Sequence, residues 1–592
     1  MAVPGRTNIG GSPWPLLAVL GVGVLVLVDV WGAFRLAHTF NGSADNLPSD
    51  PFLTIAALVH GQAAWPTTAT ILLVGFVVVE LVAAIVLGVM FTKNRGKRSR
   101  VDDASRYMGR GRDLDGVSLQ NAAAFAKRVG IEGDVKGVFI GESVSGAQPL
   151  YSSWEDVMIL IAGPRTGKST SFAIPQIVEA PGSVLVTSNK RDVVDATRDI
   201  RAQHGDVWVF DPQAIALEEP VWWWNPLSYV TDEVKAAKLA EHFAAGSRTV
   251  GGSSSDYFDN AGQNLLADLL LAAALSSRPI TDVYLWTTRP ADETPAEILE
   301  EHNYTLQAAR LFGAINLPDK QRGGIYGTAA EMASCLTNRQ VARWVTPQSP
   351  ADPRPQFDPQ AFVQRTDSLY SLSKEGRGSA GPLVTALTVA VCEAAEELAS
   401  RSSYGRLAKP LLCILDEAAN VCRWRELPNL YSHYGSRGII PLTILQSWSQ
   451  GVDVWGESGM RKLWSAANIA IYGGSVKEKA FLEDLSSMVG DYERVVSSTS
   501  TGRGQRTVSQ QSQRERILDV ADLAAMPKGR ALVLSSGNRP ALIRTRHWAR
   551  GSYKEQIEAS ILAHDPAAAQ TIAGGEAELV ANEHELASKE AA

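Results

Sequence analysis

The stretch that decides the fold is ILIAGPRTGKST, which runs from Ile159 to Thr170. It begins with continuously apolar residues, as buried parallel strands do, and the residues that follow it can start a helix. A loop between a strand and a helix N-terminus presents backbone N–H groups to phosphate, while a Lys reaches the β- and γ-phosphates and a hydroxyl binds Mg²⁺. The stretch therefore predicts a phosphate-binding loop formed by Ala162, Gly163, Pro164, Arg165, Thr166, Gly167, Lys168, Ser169 and Thr170.

The loop departs from the strict P-loop pattern at one position. That pattern, G-x-x-x-x-G-K-[ST], starts with Gly, whereas this chain has Ala162. The difference is one methyl group, and the strand before the loop and the helix after it agree with the pattern. We therefore predict ATP and Mg²⁺ as cofactors, with Lys168 as a catalytic residue and Ser169 as a metal ligand.

A second apolar stretch, LLCILDE, ends in the two carboxylates Asp416 and Glu417. If it is a parallel strand, both acids lie at its carboxyl end, where open α/β sheets bind ligands. Asp416 is predicted to hold Mg²⁺ through its water shell, and Glu417 to act as the general base for the attacking water. An apolar strand followed by acids is common by itself, so this prediction depends on the phosphate-binding loop.

Two more residues are candidates for catalysis. The strand predicted at 441–445 ends in Gln446, which would lie beside Glu417 and sense the γ-phosphate. Arg437, in the turn before that strand, would reach the phosphate of a neighbouring subunit as an arginine finger. The simpler alternatives are an amide that caps a strand end and an Arg that contacts solvent, because surface Arg is common.

The N-terminal part contains two long apolar stretches. Residues 13–37 and 67–91 are nearly free of charge, and each is about as long as a helix that crosses a bilayer, roughly 20 residues. Basic residues are lacking between the stretches and crowded just after the second, at 93–100, which predicts both termini in the cytoplasm. The expected localisation is multi-pass in the cell membrane, inner or cytoplasmic, with the ATPase domain in the cytoplasm. A cleaved signal peptide is the alternative for the first stretch.

Composition excludes little. The chain has 592 residues, of which 45% are hydrophobic and 20% are charged, as is ordinary for globular proteins. A net charge of −7 argues against a uniformly basic DNA-coating protein, but a ring that threads a strand needs only a local basic lining. The four cysteines show no Cys-x-x-Cys spacing, so neither a zinc site nor a disulfide framework is predicted.

Short apolar strands that alternate with helices predict an α/β fold with a parallel sheet. The strands are expected at 183–187, 207–210, 411–415, 441–445, 469–472 and 531–534. The segment 497–513 is rich in Ser, Thr and Gln and is predicted to be a mobile loop. The predicted organisation is a membrane anchor with a short extracytoplasmic loop (1–100), a juxtamembrane linker (101–135), a nucleotide-binding domain in two parts (136–230 and 346–555), an all-α insertion domain (231–345) and a disordered Ala/Glu-rich tail (556–592).

Beyond the loop, an ordered set of motifs resembles the conjugative coupling proteins of type IV secretion systems, the TraG/TraD family of ring-forming ATPases. The motifs are PGSV at 181–184, VFDP at 209–212, LDEAAN at 415–420, SRGI at 436–439, LQSWSQ at 445–450 and PKGRA at 527–531. The resemblance covers most of residues 138–550, and the Ala at position 162 is also similar to many members of that family.

The resemblance implies a RecA-like P-loop NTPase domain with an inserted all-α domain, preceded by two transmembrane helices and assembled as a homohexamer. The implied partners are single-stranded DNA with a covalently attached relaxase, the components of a type IV secretion channel, and the membrane. The implied function is that of a membrane-anchored ATPase that couples ATP hydrolysis to translocation of DNA, or of the relaxase–DNA complex, into the channel during conjugation.

Three alternatives remain. An FtsK-like pump for double-stranded DNA and a protein-secretion ATPase share the motor fold, although the first usually carries a winged-helix module that this chain lacks after residue 550. A membrane receptor platform that does not hydrolyse ATP is the third. The presence of Lys168, Asp416 and Glu417 together argues against a platform, which would not need all three.

Overall fold

The computed structural model describes residues 14–41, 50–93, 99–131, 135–247, 256–376, 379–502 and 505–591. These residues fall into two compact units, Met1–Lys97 and Arg98–Glu590. The first unit contains three helices, α1 Trp14–Phe40, α2 Pro51–Val59 and α3 Thr67–Lys93. Helix α2 starts where the side chain of Asp50 accepts hydrogen bonds from two backbone N–H groups, those of Phe52 and Leu53.

The prediction of a multi-pass membrane protein is corrected by the structure. Over the residues that are described, none of the helices combines the length and the apolar character that a membrane crossing requires. Side chains are described from residue 25 in α1 and as far as residue 83 in α3, and both stretches are shorter than the ~20 apolar residues of a helical span. The rest of the two predicted spans, 13–24 and 84–91, lies outside the residues with described side chains.

The second unit is built on a mixed sheet of eleven strands. Its strands are β1 Val138–Ser143, β2 Pro149–Ser152, β3 Met158–Ile161, β4 Val184–Ser188, β5 Val207–Phe210, β6 Ser368–Leu372, β7 Leu411–Leu415, β8 Ile439–Leu445, β9 Ile469–Tyr472, β12 Arg530–Ser535 and β13 Ala541–Arg544. The order across the sheet is β2-β1-β13-β12-β9-β3-β8-β7-β4-β6-β5. The seven strands from β9 to β5 are parallel to their neighbours, and an antiparallel extension begins at β12.

The second unit also contains α-helices. Those that precede β9 in the chain are α4 Arg100–Ala104, α5 Leu119–Arg128, α6 Ile174–Glu179, α7 Asp192–Arg201, α8 Glu233–Ser247, α9 Asp256–Leu275, α10 Thr281–Thr287, α11 Thr294–Glu301, α12 Thr305–Ile315, α13 Asp319–Met332, α14 Arg339–Val345, α15 Pro359–Val363, α16 Gly381–Arg401, α17 Ala418–Val421, α18 Leu427–Arg437 and α19 Trp448–Ala466. After it come α20 Lys479–Val489, α21 Val520–Ala524, α22 Lys554–His564 and α23 Ala568–Ala591.

The centre of the sheet is wholly buried, which explains its sequence. All residues of β3, β4, β7 and β8 are buried, and these strands therefore read as continuous apolar runs instead of alternating. Strand β8 lies between β3 and β7, with Leu445 opposite Ile161 and Thr443 opposite Leu415. The carboxyl ends of these three strands consequently meet at one edge of the sheet.

Between β5 and β6 the described residues form helices from α8 to α15 and no named strand. Helices α8 and α10 to α13 pack around α9, whose leucines between 265 and 271 are buried, and the ion pair between Asp268 on α9 and Arg310 on α12 links two of these helices. The division of the chain into a two-part nucleotide-binding domain and a separate all-α insertion domain remains a prediction.

Residues 101–131, which belong to the predicted linker 101–135, are folded against the sheet. Helices α4 and α5 lie here, and Asp102 on α4 accepts two hydrogen bonds, 2.7 and 2.8 Å long, from the guanidinium of Arg530 at the start of β12. Both side chains are buried. An ion pair withdrawn from water in this way fixes the segment in one place.

Two segments that the sequence predicts to lack fixed structure are regular. Most of the predicted mobile loop lies in a hairpin, β10 Asp491–Gly502 and β11 Gln505–Arg516, paired from Asp491 opposite Arg516 to its tip. The predicted disordered tail forms the end of α22 and all of α23, and α22 buries Ile557 and Ile561.

Candidate nucleotide-binding site

The predicted phosphate-binding loop is held between two strand ends. The N–H of Ala162 donates to the carbonyl of Leu445 at 3.0 Å, and the N–H of Gly163 donates to the carbonyl of Gly474 at 2.9 Å. A β-carbon on Gly163 would stand 2.2 Å from the carbonyl oxygen of Ser475, so only glycine fits there.

The structure explains why Ala162 replaces the first glycine of the pattern. Its side chain is fully buried, and a β-carbon added to Gly473 would lie 2.7 Å from its methyl group. The methyl group of Ala162 thus fills the space that Gly473 leaves empty. The exchange of Gly for Ala at position 162 is therefore accommodated by a glycine on the neighbouring chain segment.

The loop backbone has the alternation of conformations that makes an anion-binding concavity. Arg165 has φ +59° and Gly167 has φ +80°, both left-handed, between residues in ordinary conformations. The N–H of Ser171 donates to the carbonyl of Gly167 at 2.8 Å, so the chain enters a helix directly after Lys168 and Ser169. The Nζ of Lys168 lies across the loop and donates to the carbonyls of Ala162 and Gly163, both at 3.1 Å.

The two predicted acids lie at the carboxyl end of β7, close to this loop. Asp416 and Glu417 are only 5% and 7% exposed. The N–H of Asp416 donates to the carbonyl of Thr187 on β4, and Glu417 has φ +51°, a left-handed conformation that is costly for a residue with a β-carbon. Strain of this kind concentrates at functional sites, and here it turns the Glu417 side chain toward β8.

Gln446 follows β8 and contacts Glu417, as the sequence predicts. Its Nε2 donates to both carboxylate oxygens of Glu417, at 2.6 and 2.7 Å. The amide of Asn420 donates to the same carboxylate at 3.3 Å. Two amides therefore hold the candidate base, and Asn420 is a site residue that the sequence analysis missed, although it lies within the motif LDEAAN.

The charged groups of the site shift one another's pKa values. Burial, together with the neighbouring carboxylates of Asp192 and Glu417, raises the pKa of Asp416 to about 7, against the effect of Lys168 and Lys190. Burial also lowers the pKa of Lys168, while Glu417 and Asp416 act in the opposite direction. Lys190 and Asp192, which follow β4, belong to the site but were missed because neither residue is part of a recognised nucleotide motif.

The residues present fit a nucleotide with Mg²⁺. Hydroxyl and carboxylate oxygens, here of Ser169 and Asp416, are the ligands that Mg²⁺ takes, together with phosphate oxygens and water. The described residues hold no group of three or more His, Cys, Asp or Glu side chains that would bind a metal on its own. The hydroxyl of Thr170 is buried without a hydrogen-bond partner among the described residues.

Arg437 is the one predicted site residue that the structure does not bring to the loop. It ends α18, just before β8 begins, whereas Gln446 follows the other end of that strand. A strand of this length spans roughly 20 Å, so the two side chains lie at opposite edges of the sheet. Arg437 forms an ion pair with Glu396 at 3.1 Å and lines a cavity of about 580 Å³.

One segment of the chain matches a family model, and it includes β7, β8 and the hairpin β10–β11. Residues 410–528 match the model described as the TraM recognition site of TraD and TraG. The predicted resemblance to the type IV coupling proteins is confirmed. The family model covers only this segment of the chain. No curated protein sequence matches the chain.

Solved structures of a coupling protein share the fold of the chain. The unbound monoclinic form of the bacterial conjugative coupling protein TrwBΔN70 has a TM-score of 0.51 and 16% identity, covering 73% of this chain and 92% of that chain. The plasmid coupling protein TrwB in complex with the non-hydrolysable GTP analogue GDPNP has a TM-score of 0.50 and 17% identity, with 72% and 92% covered. The complex of TrwB with the ATP analogue ADPNP gives the same TM-score, identity and coverage.

Proposed function

We propose that this protein is an ATPase that couples ATP hydrolysis to the transport of DNA, or of a relaxase–DNA complex, into a type IV secretion channel during conjugation. The observation that carries the proposal is the edge of the sheet at which Lys168, Glu417 and Gln446 follow β3, β7 and β8. The match of residues 410–528 to the TraG/TraD model supports it, and the nucleotide analogues bound to TrwB agree with it.

In this proposal the loop 162–170 binds the phosphates through its backbone N–H groups. Lys168 exchanges the uncharged carbonyl oxygens of Ala162 and Gly163 for phosphate oxygens, which accept a stronger, charge-assisted hydrogen bond from an ammonium group. Ser169 and Asp416 hold Mg²⁺, which when bound neutralises charge on the β- and γ-phosphate oxygens.

Glu417 accepts the proton of the attacking water as general base. Its carboxylate is occupied by the amides of Gln446 and Asn420, so it is weakened as a base in the state described here. We propose that contact between Gln446 and the γ-phosphate withdraws this amide from Glu417 and frees the base. Hydrolysis would then begin only after the triphosphate is bound.

Arg437 as an arginine finger and the homohexamer remain proposals that support each other. Because Arg437 lies at the opposite edge of the sheet from Gln446, it reaches a phosphate only in a neighbouring subunit. The ion pair between Arg437 and Glu396 is half-buried and would have to open for that contact.

The proposed partners are the relaxosome and the secretion channel. The matched model is described as a TraM recognition site, but β7, β8 and β9 within this segment are buried and unable to contact a partner. We place partner contacts of the segment on its outer elements, such as the hairpin β10–β11, whose base is exposed at Glu493, Arg494 and Val495.

The test is steady-state ATP hydrolysis by the full chain with and without single-stranded DNA. Lys168→Ala should lower turnover at least ~100-fold, because a charge aimed at the reacting phosphate is lost. Lys127→Ala, an exposed lysine on α5, is the matched control and should leave turnover unchanged. DNA-stimulated hydrolysis supports a DNA motor. Stimulation by a protein substrate alone would favour a protein-secretion ATPase, and absence of nucleotide binding would favour a receptor platform.

A further inference from the structure

The C-terminal helix α23 reaches the nucleotide site. The carboxylate oxygen Oε1 of Glu578 lies 3.7 Å from the position that a β-carbon on Gly167 would occupy. Gly167 lies in the middle of the phosphate-binding loop, in the left-handed conformation that opens the loop toward an anion. A carboxylate from the far end of the chain is therefore placed beside the backbone that we assign to phosphate binding.

Packing holds α23 in this position. Ile572 and Leu579 lie against the apolar core that contains β3 and β4, and Gly575 passes so close to Trp548 that an added β-carbon would be 3.3 Å from its ring. The turn before α23 is held by the carboxylate of Asp565, which accepts a hydrogen bond from the N–H of Ala567 at 2.8 Å and one from the hydroxyl of Thr571 in the first turn of the helix.

Helix α22 anchors α23 to the sheet. The hydroxyl of Ser560 donates to the carbonyl of Asp195 on α7 at 2.6 Å, and the guanidinium of Arg191 donates to the carbonyl of His564 at 2.6 Å. Lys554 in the first turn of α22 faces Glu576 on α23 across 3.8 Å. The two helices thus form a hairpin that is fixed to α7 and reaches back to the loop.

Charge at the contact has the sign expected of a phosphate substitute. An ionised carboxylate is an anionic hydrogen-bond acceptor, as phosphate is. Burial raises the pKa of Glu578, and the charge of Lys528 opposes this rise. The Nζ of Lys168 donates to the carbonyls of Ala162 and Gly163.

We propose that α23 is an autoinhibitory helix whose Glu578 carboxylate competes with nucleotide phosphate at the loop. The inference rests on the nucleotide binding proposed above. Two anions this close repel each other, so nucleotide binds fully only when Glu578 and the surrounding turn of α23 move away from Gly167. If the helix is docked in 90% of molecules, the apparent affinity for nucleotide falls about 10-fold.

The first test measures the affinity of the full chain for a fluorescent, non-hydrolysable ATP analogue. Glu578→Gln keeps the size of the side chain and removes its charge, and it should tighten binding about 10-fold. Glu555→Gln, at an exposed position of α22, is the matched control and should bind as the wild type does. Leu579→Asp, which removes an apolar anchor of α23, should tighten binding as Glu578→Gln does, provided that the variants unfold at similar temperatures.

The second test follows the helix itself by hydrogen–deuterium exchange of the wild type. Adding the analogue should speed amide exchange in residues 568–582 while it slows exchange in the loop 162–170. Wild-type affinity in Glu578→Gln together with unchanged exchange in 568–582 would overturn the autoinhibitory role while leaving nucleotide binding intact. If neither the wild type nor Glu578→Gln binds the analogue, the proposed function fails, and the autoinhibitory role fails with it.

Discussion

The side-chain amide of Gln446 donates to both carboxylate oxygens of Glu417, at 2.6 and 2.7 Å, across the ends of two adjacent strands. The residue proposed to sense the γ-phosphate and the residue proposed to activate water are therefore in direct contact. Neither residue acts independently of the other, because a change in the position of the amide changes the hydrogen bonding of the carboxylate.

Glu417→Gln should separate nucleotide binding from hydrolysis. The amide cannot accept a proton from water, so we expect turnover to fall by roughly 10²- to 10⁴-fold, the contribution typical of a general base. Affinity for ATP should change little, because Lys168 and the loop remain. Titration with an ATP analogue and a steady-state turnover assay measure the two quantities. Equal losses of affinity and turnover would contradict the assignment of Glu417 as the base.

Gly473→Ala should destabilise the protein, and Ala162→Gly should partly restore it. The new methyl group would stand 2.7 Å from that of Ala162, and overpacking of this kind costs ~1–3 kcal/mol. The double variant removes one of the two methyl groups and should recover most of that loss in the free energy of unfolding. Chemical denaturation of the two single variants and the double variant measures the coupling. Additive effects would contradict direct packing between the two positions.

Stability should fall as pH rises from about 4 to 7. Asp416 has a folded-state pKa of about 7, above its ordinary value, so the folded state retains a proton that the unfolded state has already lost. The favourable contribution of the protonated carboxyl group is present below the unfolded-state pKa and is lost as pH rises through 7.

Asp416→Asn should flatten this dependence between pH 4 and 7, as measured by thermal unfolding of both proteins without nucleotide. A slope identical to that of the wild type would exclude Asp416 as its source. In the wild type, Mg²⁺ should make the affinity for nucleotide rise more steeply with pH, since the metal competes with the proton for the Asp416 carboxylate. Asp416→Asn should not show this effect.

Arg530→Met should cost about 3–5 kcal/mol in the free energy of unfolding, because it leaves the buried carboxylate of Asp102 without a partner. The double variant with Asp102→Leu removes both charges and should be close to the wild type in stability. Urea denaturation of the three proteins tests this. If the double variant is as unstable as Arg530→Met, the loss of stability does not come from the unpaired Asp102 carboxylate, and the prediction is wrong.

The sequence predicts the parts of the site that are local in the chain. Lys168 and Ser169 end the loop that follows the buried strand β3, and Asp416 and Glu417 follow the buried strand β7 directly, so their pattern determines their position. Gln446 was predicted beside Glu417 because consecutive strands often pair, and β7 and β8 are neighbours. The strands predicted at 411–415 and 469–472 coincide with β7 and β9.

The parts that were missed depend on contacts between residues distant in sequence. Nothing near Ala162 indicates that Gly473 makes room for its methyl group, and nothing near Glu578 indicates that α23 lies beside Gly167. The hairpin β10–β11 was read as a loop because its Ser, Thr and Gln side chains lack the apolar alternation of a half-buried strand. A two-stranded ribbon exposed on both faces does not require that alternation.

Strand β8 begins one residue after Gly438 and ends one residue before Gln446; its residues 442–445 pair with β3 and its residues 439–443 pair with β7. A strand that is hydrogen-bonded to neighbouring strands on both sides is stiff, so its two ends move together. If the proposed contact between the γ-phosphate and Gln446 displaces this strand, Arg437 at its other end moves with it. In the proposed hexamer, nucleotide binding in one subunit would then shift the residue proposed to contact the next subunit.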